Sequence, residues 1–88
     1  MSDVTVYHFW SPTCAPCKHI KPALEDLKED NPDVNWVSVN THEDTNGYCN
    51  TFNVRIVPTM VVVSKNGTQR YTGTQVIQYY NLIKRAKQ

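Results

Sequence analysis

Glycine is scarce, with three residues in 88, and no repeat or low-complexity stretch is visible. Repeat arrays and biased, unfolded chains are thereby excluded. No apolar run approaches the roughly 20 residues needed to cross a bilayer as a helix, so no membrane is expected. Charge of one sign is also missing. The formal net charge is +1, which gives no electrostatic reason to expect nucleic acid as a partner. Residues 1–6, Met-Ser-Asp-Val-Thr-Val, carry no basic region followed by an apolar segment. They do not read as a secretory signal, and a cytoplasmic location is the default expectation. Cysteine is limited to three residues, Cys14, Cys17 and Cys49. An odd number argues against a disulfide framework. A permanent Cys14–Cys17 bridge would close a very short loop and restrict the unfolded chain little.

What is present is an ordinary globular balance, 40% hydrophobic and 19% charged residues. The length suits one domain over residues 1–88, burying about 60% of its unfolded surface. Val4 to Trp10 is β-branched and aromatic, as in a strand buried on both faces. From Cys14 to Asp30 the period becomes helical, with Cys17, Ile20, Leu24 and Leu27 on one side. Pro22 inside that helix removes a backbone bond to Lys18 and should bend it. Val34 to Asn40 reads as a second strand, completing a βαβ unit. A short helix is expected from Thr45 to Phe52, and a strand from Met60 to Ser64. Asn66-Gly67 signals a hairpin, with Gln69 to Thr72 returning antiparallel. Thr74 can cap a last helix whose stripe is Val76, Tyr79, Tyr80 and Ile83. Lys84, Arg85 and Lys87 suit its C-terminal dipole. The order β-α-β-α-β-β-α predicts an α/β fold, a four-stranded mixed sheet with three helices on its two faces.

The chemistry centres on Phe9-Trp10-Ser11-Pro12-Thr13-Cys14-Ala15-Pro16-Cys17-Lys18. Such a pair serves a metal site, a structural disulfide, or a disulfide that opens and closes in catalysis. Cys14 lies where the first strand passes into the first helix. Free N–H groups at a helix start favour a thiolate, so the Cys14 pKa should fall below its free value of about 8.5. Cys17 is one turn on and can reach Cys14 from the more buried side. Pro16 fixes the backbone between them and lacks an N–H that the first turn does not need. The zinc alternative would join Cys14, Cys17 and Cys49 to His19 or His42. It has only one C-x-x-C, with the third cysteine far off on another predicted element.

The cysteine stretch, with Pro22 five residues after Cys17, resembles the thioredoxin family. So does Val57-Pro58-Thr59 before an apolar strand, followed by Lys65-Asn66-Gly67 and Gly73. The likeness covers nearly the whole chain. It implies the thioredoxin fold and a protein-disulfide reductase that cycles Cys14 and Cys17 between dithiol and disulfide, with no cofactor and no metal. It implies a cis Val57–Pro58 bond in a loop beside the cysteines, where the backbone of Val57 pairs with a substrate chain. Trp10, Thr13, Ala15, Pro16 and Gly73 would border that surface. The expected partners are disulfide-containing proteins and a thioredoxin reductase or other electron donor, with the chain acting as a monomer. A glutathione-dependent, glutaredoxin-like reductase and a binding subunit built on this fold are the alternatives.

Several positions depart from the family. The cysteine-bearing unit begins almost at once, a glutaredoxin-like size. Thr13 replaces the usual tryptophan before the first cysteine, and Ala15 replaces a glycine. His8 and Ser38 occupy the places of a buried aspartate and its lysine partner. The aspartate's role is to manage the proton of the second cysteine, and His8 is the expected substitute, acting directly or through water. Cys49 is expected to be a partly buried small side chain.

Overall fold

The structure, a computed structural model, describes residues 3–88. Its elements are β1 (Thr5–Trp10), α1 (Ala15–Asp30), β2 (Asn35–Asn40), α2 (Tyr48–Thr51), β3 (Thr59–Ser64), β4 (Gly67–Thr72) and α3 (Val76–Ala86). The sheet order is β2-β1-β3-β4. β1 runs parallel to β2 and antiparallel to β3, and β4 returns antiparallel beside β3.

The two faces of the sheet follow from the period of two along each strand. Val6 of β1 and Met60 and Val62 of β3 pack with Ile20, Leu24 and Leu27 of α1 and with Tyr79, Leu82 and Ile83 of α3. Phe9, Val39 and Val61 face the other way, against Tyr48, Cys49 and Phe52. Even-numbered residues of β1 therefore look toward α1, and His8 is among them. The α1 stripe is as expected: Cys17, Ile20, Leu24 and Leu27 are its buried residues. Pro22 sits inside this helix, which continues through it.

Three elements differ from the sequence expectation. α2 begins at Tyr48 and not at Thr45, because Gly47 is left-handed at φ 69°. The Asp44 carboxylate accepts the amides of Tyr48 at 3.0 Å and Cys49 at 2.7 Å, so it caps the shortened helix. The N-cap of α3 is Gln75, not Thr74, and makes no side-chain capping bond. Its amide donates instead to the Tyr71 hydroxyl at 3.3 Å. In α3 the core side is Tyr79, Leu82, Ile83 and Ala86, and Tyr80 is 46% exposed. In the hairpin, Lys65 and Asn66 form the turn and Gly67, at φ 108°, opens β4 opposite Ser64. The returning strand thus starts two residues before Gln69, since only the glycine takes the positive φ that ends such a turn.

Candidate active site

β1 ends at Trp10, and the chain turns through Ser11-Pro12-Thr13 before α1. The Cys14 amide closes that turn on the Ser11 carbonyl at 3.2 Å. Cys14 is then the N-cap of α1, with extended backbone at φ −92°, ψ 102°. Its Sγ accepts the Cys17 amide at 3.1 Å, the part an oxygen plays in an ordinary cap. The two cysteines form a disulfide with their Cα atoms 5.3 Å apart. Cys14 is 8% exposed and Cys17 5%, so the first cysteine residue is nearly as covered as the second in this oxidised state. Thr13, Ala15 and Pro16 are exposed around the first turn. No acidic residue lies in that turn to oppose a thiolate.

The start of β3 reaches the same end of the sheet, since Thr59 pairs with Phe9 of β1 and with Thr72 of β4. The preceding Val57–Pro58 bond is cis. Pro58 is buried and Val57 half-buried. Thr59, fully buried, donates its hydroxyl proton to the Ile56 carbonyl at 2.5 Å. A hydroxyl has one proton, so at 2.7 Å Thr72 is the donor to Thr59. Gly73 donates its amide to the Pro58 carbonyl at 3.1 Å. The carbonyl of Gly73 accepts the hydroxyl of Tyr79. Val57, Pro58 and Gly73 thus form one braced loop at the cysteine end. Ile56, 65% exposed at its tip, was not singled out from sequence, although it directly precedes the Val-Pro-Thr signal.

Behind Cys17 lies a cavity of about 240 Å³, lined by His8, Trp10, Leu24, Lys28 and Ser38 among others. His8 and Ser38 are register partners across β1 and β2, as the sequence suggested. His8 is half-buried, and its Nε2 is buried with no hydrogen-bond partner in the protein. Burial holds the imidazole neutral, lowering its pKa from 6.5 to about 4. The Lys28 charge adds to this and Glu25 opposes it. Trp10 turns its indole N–H to Ser38 Oγ at 2.7 Å, making it a wall of this cavity. Lys28 and Glu25, which form a 3.6 Å ion pair, line the same cavity from α1.

The thioredoxin family profile matches residues 1–87. The chain belongs to the thioredoxin family. Mitochondrial thioredoxin-2 of Schizosaccharomyces pombe is 37% identical over 62 residues, covering 70% of this chain and 46% of that protein. The chain spans less than half the length of the first curated relatives it matches. Mitochondrial thioredoxin 3 of Saccharomyces cerevisiae, solved in its oxidised form, superposes with a TM-score of 0.86. It is 26% identical and covers 97% of this chain and 80% of that one. Thioredoxin f2, solved in complex with ferredoxin:thioredoxin reductase, shares the fold at a TM-score of 0.86. Its identity is 22%, with 99% of this chain and 81% of that chain covered.

Among the described residues, those of the zinc alternative are not gathered into one site. Among the described residues no group of three or more histidine, cysteine or acidic side chains could hold a metal ion. His19 and His42 are exposed. Cys49 is a free, half-buried thiol packed beside the second core. Desolvation, and then the neighbouring Asp44, push it up to about 11.

Proposed function

We propose that this protein is a thiol–disulfide oxidoreductase that reduces protein disulfides by cycling Cys14 and Cys17. The observation that carries the reading is the cap: Cys14 Sγ takes the place of a capping oxygen and receives the Cys17 amide. A helix start presents unpaired N–H groups and partial positive charge, which favour sulfur as an anion. Thiolate is the form that attacks a disulfide.

In the reduced protein, the Cys14 thiolate attacks one sulfur of a substrate disulfide. A Cys14–substrate S–S bond forms, and the other substrate sulfur leaves with the electron pair. Cys17 then loses its proton and attacks Cys14 Sγ. The mixed disulfide breaks, the second substrate sulfur leaves as thiolate, and the Cys14–Cys17 bond is restored. Two electrons have passed from the pair to the substrate. The Val57 backbone aligns the substrate chain as an added strand, and the braced Pro58–Gly73 loop holds that edge in place. Thr13, Ala15, Pro16 and Ile56 form the contact surface around it.

The cycle needs an external donor. We take it to be a flavoprotein thioredoxin reductase fed by NADPH. The chain would act as a monomer in a reducing compartment, for which the cytoplasm is our proposal.

Insulin reduction tests the reading. With NADPH and a thioredoxin reductase, the wild type should precipitate insulin catalytically, and Cys14→Ser should not. If glutathione and its reductase support turnover and thioredoxin reductase does not, the donor assignment falls. If neither donor nor dithiothreitol gives catalysis above the uncatalysed rate, the oxidoreductase reading falls.

A further inference from the structure

We propose that the cavity behind Cys17 is a binding site for a small organic anion, a flat apolar body carrying one carboxylate, and that its occupation favours the oxidised state of the cysteine pair. The site stands on the cavity's own residues. The coupling to redox state rests on the dithiol cycle above.

The cavity has apolar walls and a basic mouth. Its volume is about 240 Å³, and Trp10, Pro12 and Leu24 supply apolar surface. Leu24 is buried and Trp10 half-buried. Lys18 and Lys21 also line it and are exposed, which puts their ammonium groups at the opening. Three residues apart on α1, they are neighbours on one side of the helix. Among the described residues neither has an ion-pair partner, whereas Lys28, the third lysine of the lining, is paired with Glu25 at 3.6 Å. Three lysines against one glutamate leave the lining a surplus of two positive charges. A cleft lined by one sign of charge with low-dielectric walls concentrates the opposite ion.

The remaining polar groups favour an acceptor as well. Ser38 Oγ already accepts the indole N–H of Trp10 at 2.7 Å, so its own proton is left to donate. Lysines only donate. His8 Nε2 is buried with no hydrogen-bond partner in the protein, and as an N–H it would meet an acceptor on the occupant. Glu25 is the one carboxylate of the lining, and Lys28 answers its charge. A cation or a ligand rich in donors would find little to bind.

Size sets the rest of the ligand. Pockets for drug-sized molecules span about 300–1,000 Å³, so this cavity suits a smaller body, such as a single ring. The Trp10 indole offers such a ring a favourable aromatic neighbour. The carboxylate takes charge-assisted hydrogen bonds from Lys18 and Lys21.

Cys17 shares the cavity wall, so the occupant senses the state of the pair. The disulfide is uncharged. The reduced pair carries a thiolate in the cycle above, and like charges repel. The anion therefore binds the oxidised protein more tightly, and by linkage it favours that form by the same factor.

Titration of ¹⁵N-labelled protein with benzoate at fixed ionic strength tests this. In the oxidised protein, saturable NMR shifts should appear at the Trp10 indole N–H and at the amides of Lys21, Leu24 and Ser38, with a Kd of about 1 mM. Benzamide, which has the same shape without the charge, should bind at least about tenfold more weakly. A double variant, Lys18→Gln with Lys21→Gln, should weaken benzoate about tenfold and leave benzamide unchanged, which separates lost charge from lost fold. In the reduced protein at pH 8 the benzoate Kd should rise by about threefold or more. Shifts that map to another surface, no saturation by about 20 mM, or equal binding of benzamide would overturn the site. Equal affinity in both redox states would overturn the coupling and leave the site standing. Benzoate binding as described in a protein that fails to reduce insulin would strike the oxidoreductase reading, and the coupling with it, but not the site.

Discussion

The amide of Gly73 donates to the carbonyl of Pro58 at 3.1 Å, tying the segment after β4 to the cis loop before β3. Gly73 itself sits at φ 144°, a region that L side chains rarely adopt. A Cβ built on it would lie 2.5 Å from the Tyr71 hydroxyl oxygen. Gly73→Ala should therefore strain the backbone and displace Tyr71 together. A loss of about 1–3 kcal/mol is expected from urea unfolding, with a raised KM for insulin as the loop edge shifts. Wild-type stability and KM in this variant would show that Gly73 does not hold the loop.

Tyr79 secures the same loop from beneath. It is fully buried, donates its hydroxyl to the Gly73 carbonyl, and meets the Tyr71 ring edge-on at 5.4 Å. Tyr79→Phe keeps the ring and removes only the donor. The cost should be about 1–2 kcal/mol by urea midpoint. Gly73→Ala and Tyr79→Phe act on one carbonyl unit, so the double variant should lose less than the two single losses combined.

The parts of this chain that read directly from sequence are those governed by local chemistry. The Cys17, Ile20, Leu24 and Leu27 stripe is a helical period, and the same four residues are the buried ones of α1. The apolar run ending at Ser64 has the period and length of a buried strand, and forms β3. Cys14 at the helix start follows from the change of period between β1 and α1. What escaped is set by contacts distant in sequence. Tyr80 fits a helical stripe as well as Leu82 does, but the sheet lies against Leu82. Thr74 is a good capping residue, yet the Tyr71 hydroxyl fixes the chain one residue later. Lys28 and Glu25 look like solvent-facing charges until the sheet places His8 beneath them. The tyrosines bracing Gly73, Tyr71 and Tyr79, carry no local signal of that role.

Trapping separates the two cysteines. With Cys17→Ser, the Cys14–substrate disulfide should accumulate as a covalent adduct by mass spectrometry, because nothing attacks Cys14 Sγ. Cys14→Ser should form no such adduct at the same position. An adduct through Cys17 in the Cys14→Ser protein, formed as fast, would reverse their roles.

Cys49 is the free thiol in the oxidised protein. Its thiol is pushed up to about 11 by burial and then by Asp44, so little thiolate exists at neutral pH. Alkylation by iodoacetamide should be slow at pH 8 and accelerate as pH rises toward 11. Cys49→Ala should retain insulin reduction, since Cys49 lies beside Tyr48 and Phe52 on the face away from α1. Fast alkylation at pH 7 would mean the thiol is not held in its protonated form.

His8 also makes the oxidised protein sensitive to mild acid. Its pKa is lowered from 6.5 to about 4 in the folded state. Between those values the unfolded chain binds a proton that the folded chain refuses, so stability rises with pH across this window. The sign is that of a base buried neutral: its contribution is complete above 6.5 and is lost as pH falls toward 4. The depression corresponds to about 3 kcal/mol lost by pH 4. Asp33 and Asp44 act lower down. Their carboxyls are held below 3.8 by hydrogen bonds from Lys87 and from the amide of Cys49, and their effect is lost only under stronger acid. Urea midpoints at pH 7, 5.5 and 4 should therefore fall steadily in the wild type and far less in His8→Gln. A wild type as stable at pH 4 as at pH 7 would mean that His8 accepts its proton without penalty, and that its Nε2 is not enclosed as described.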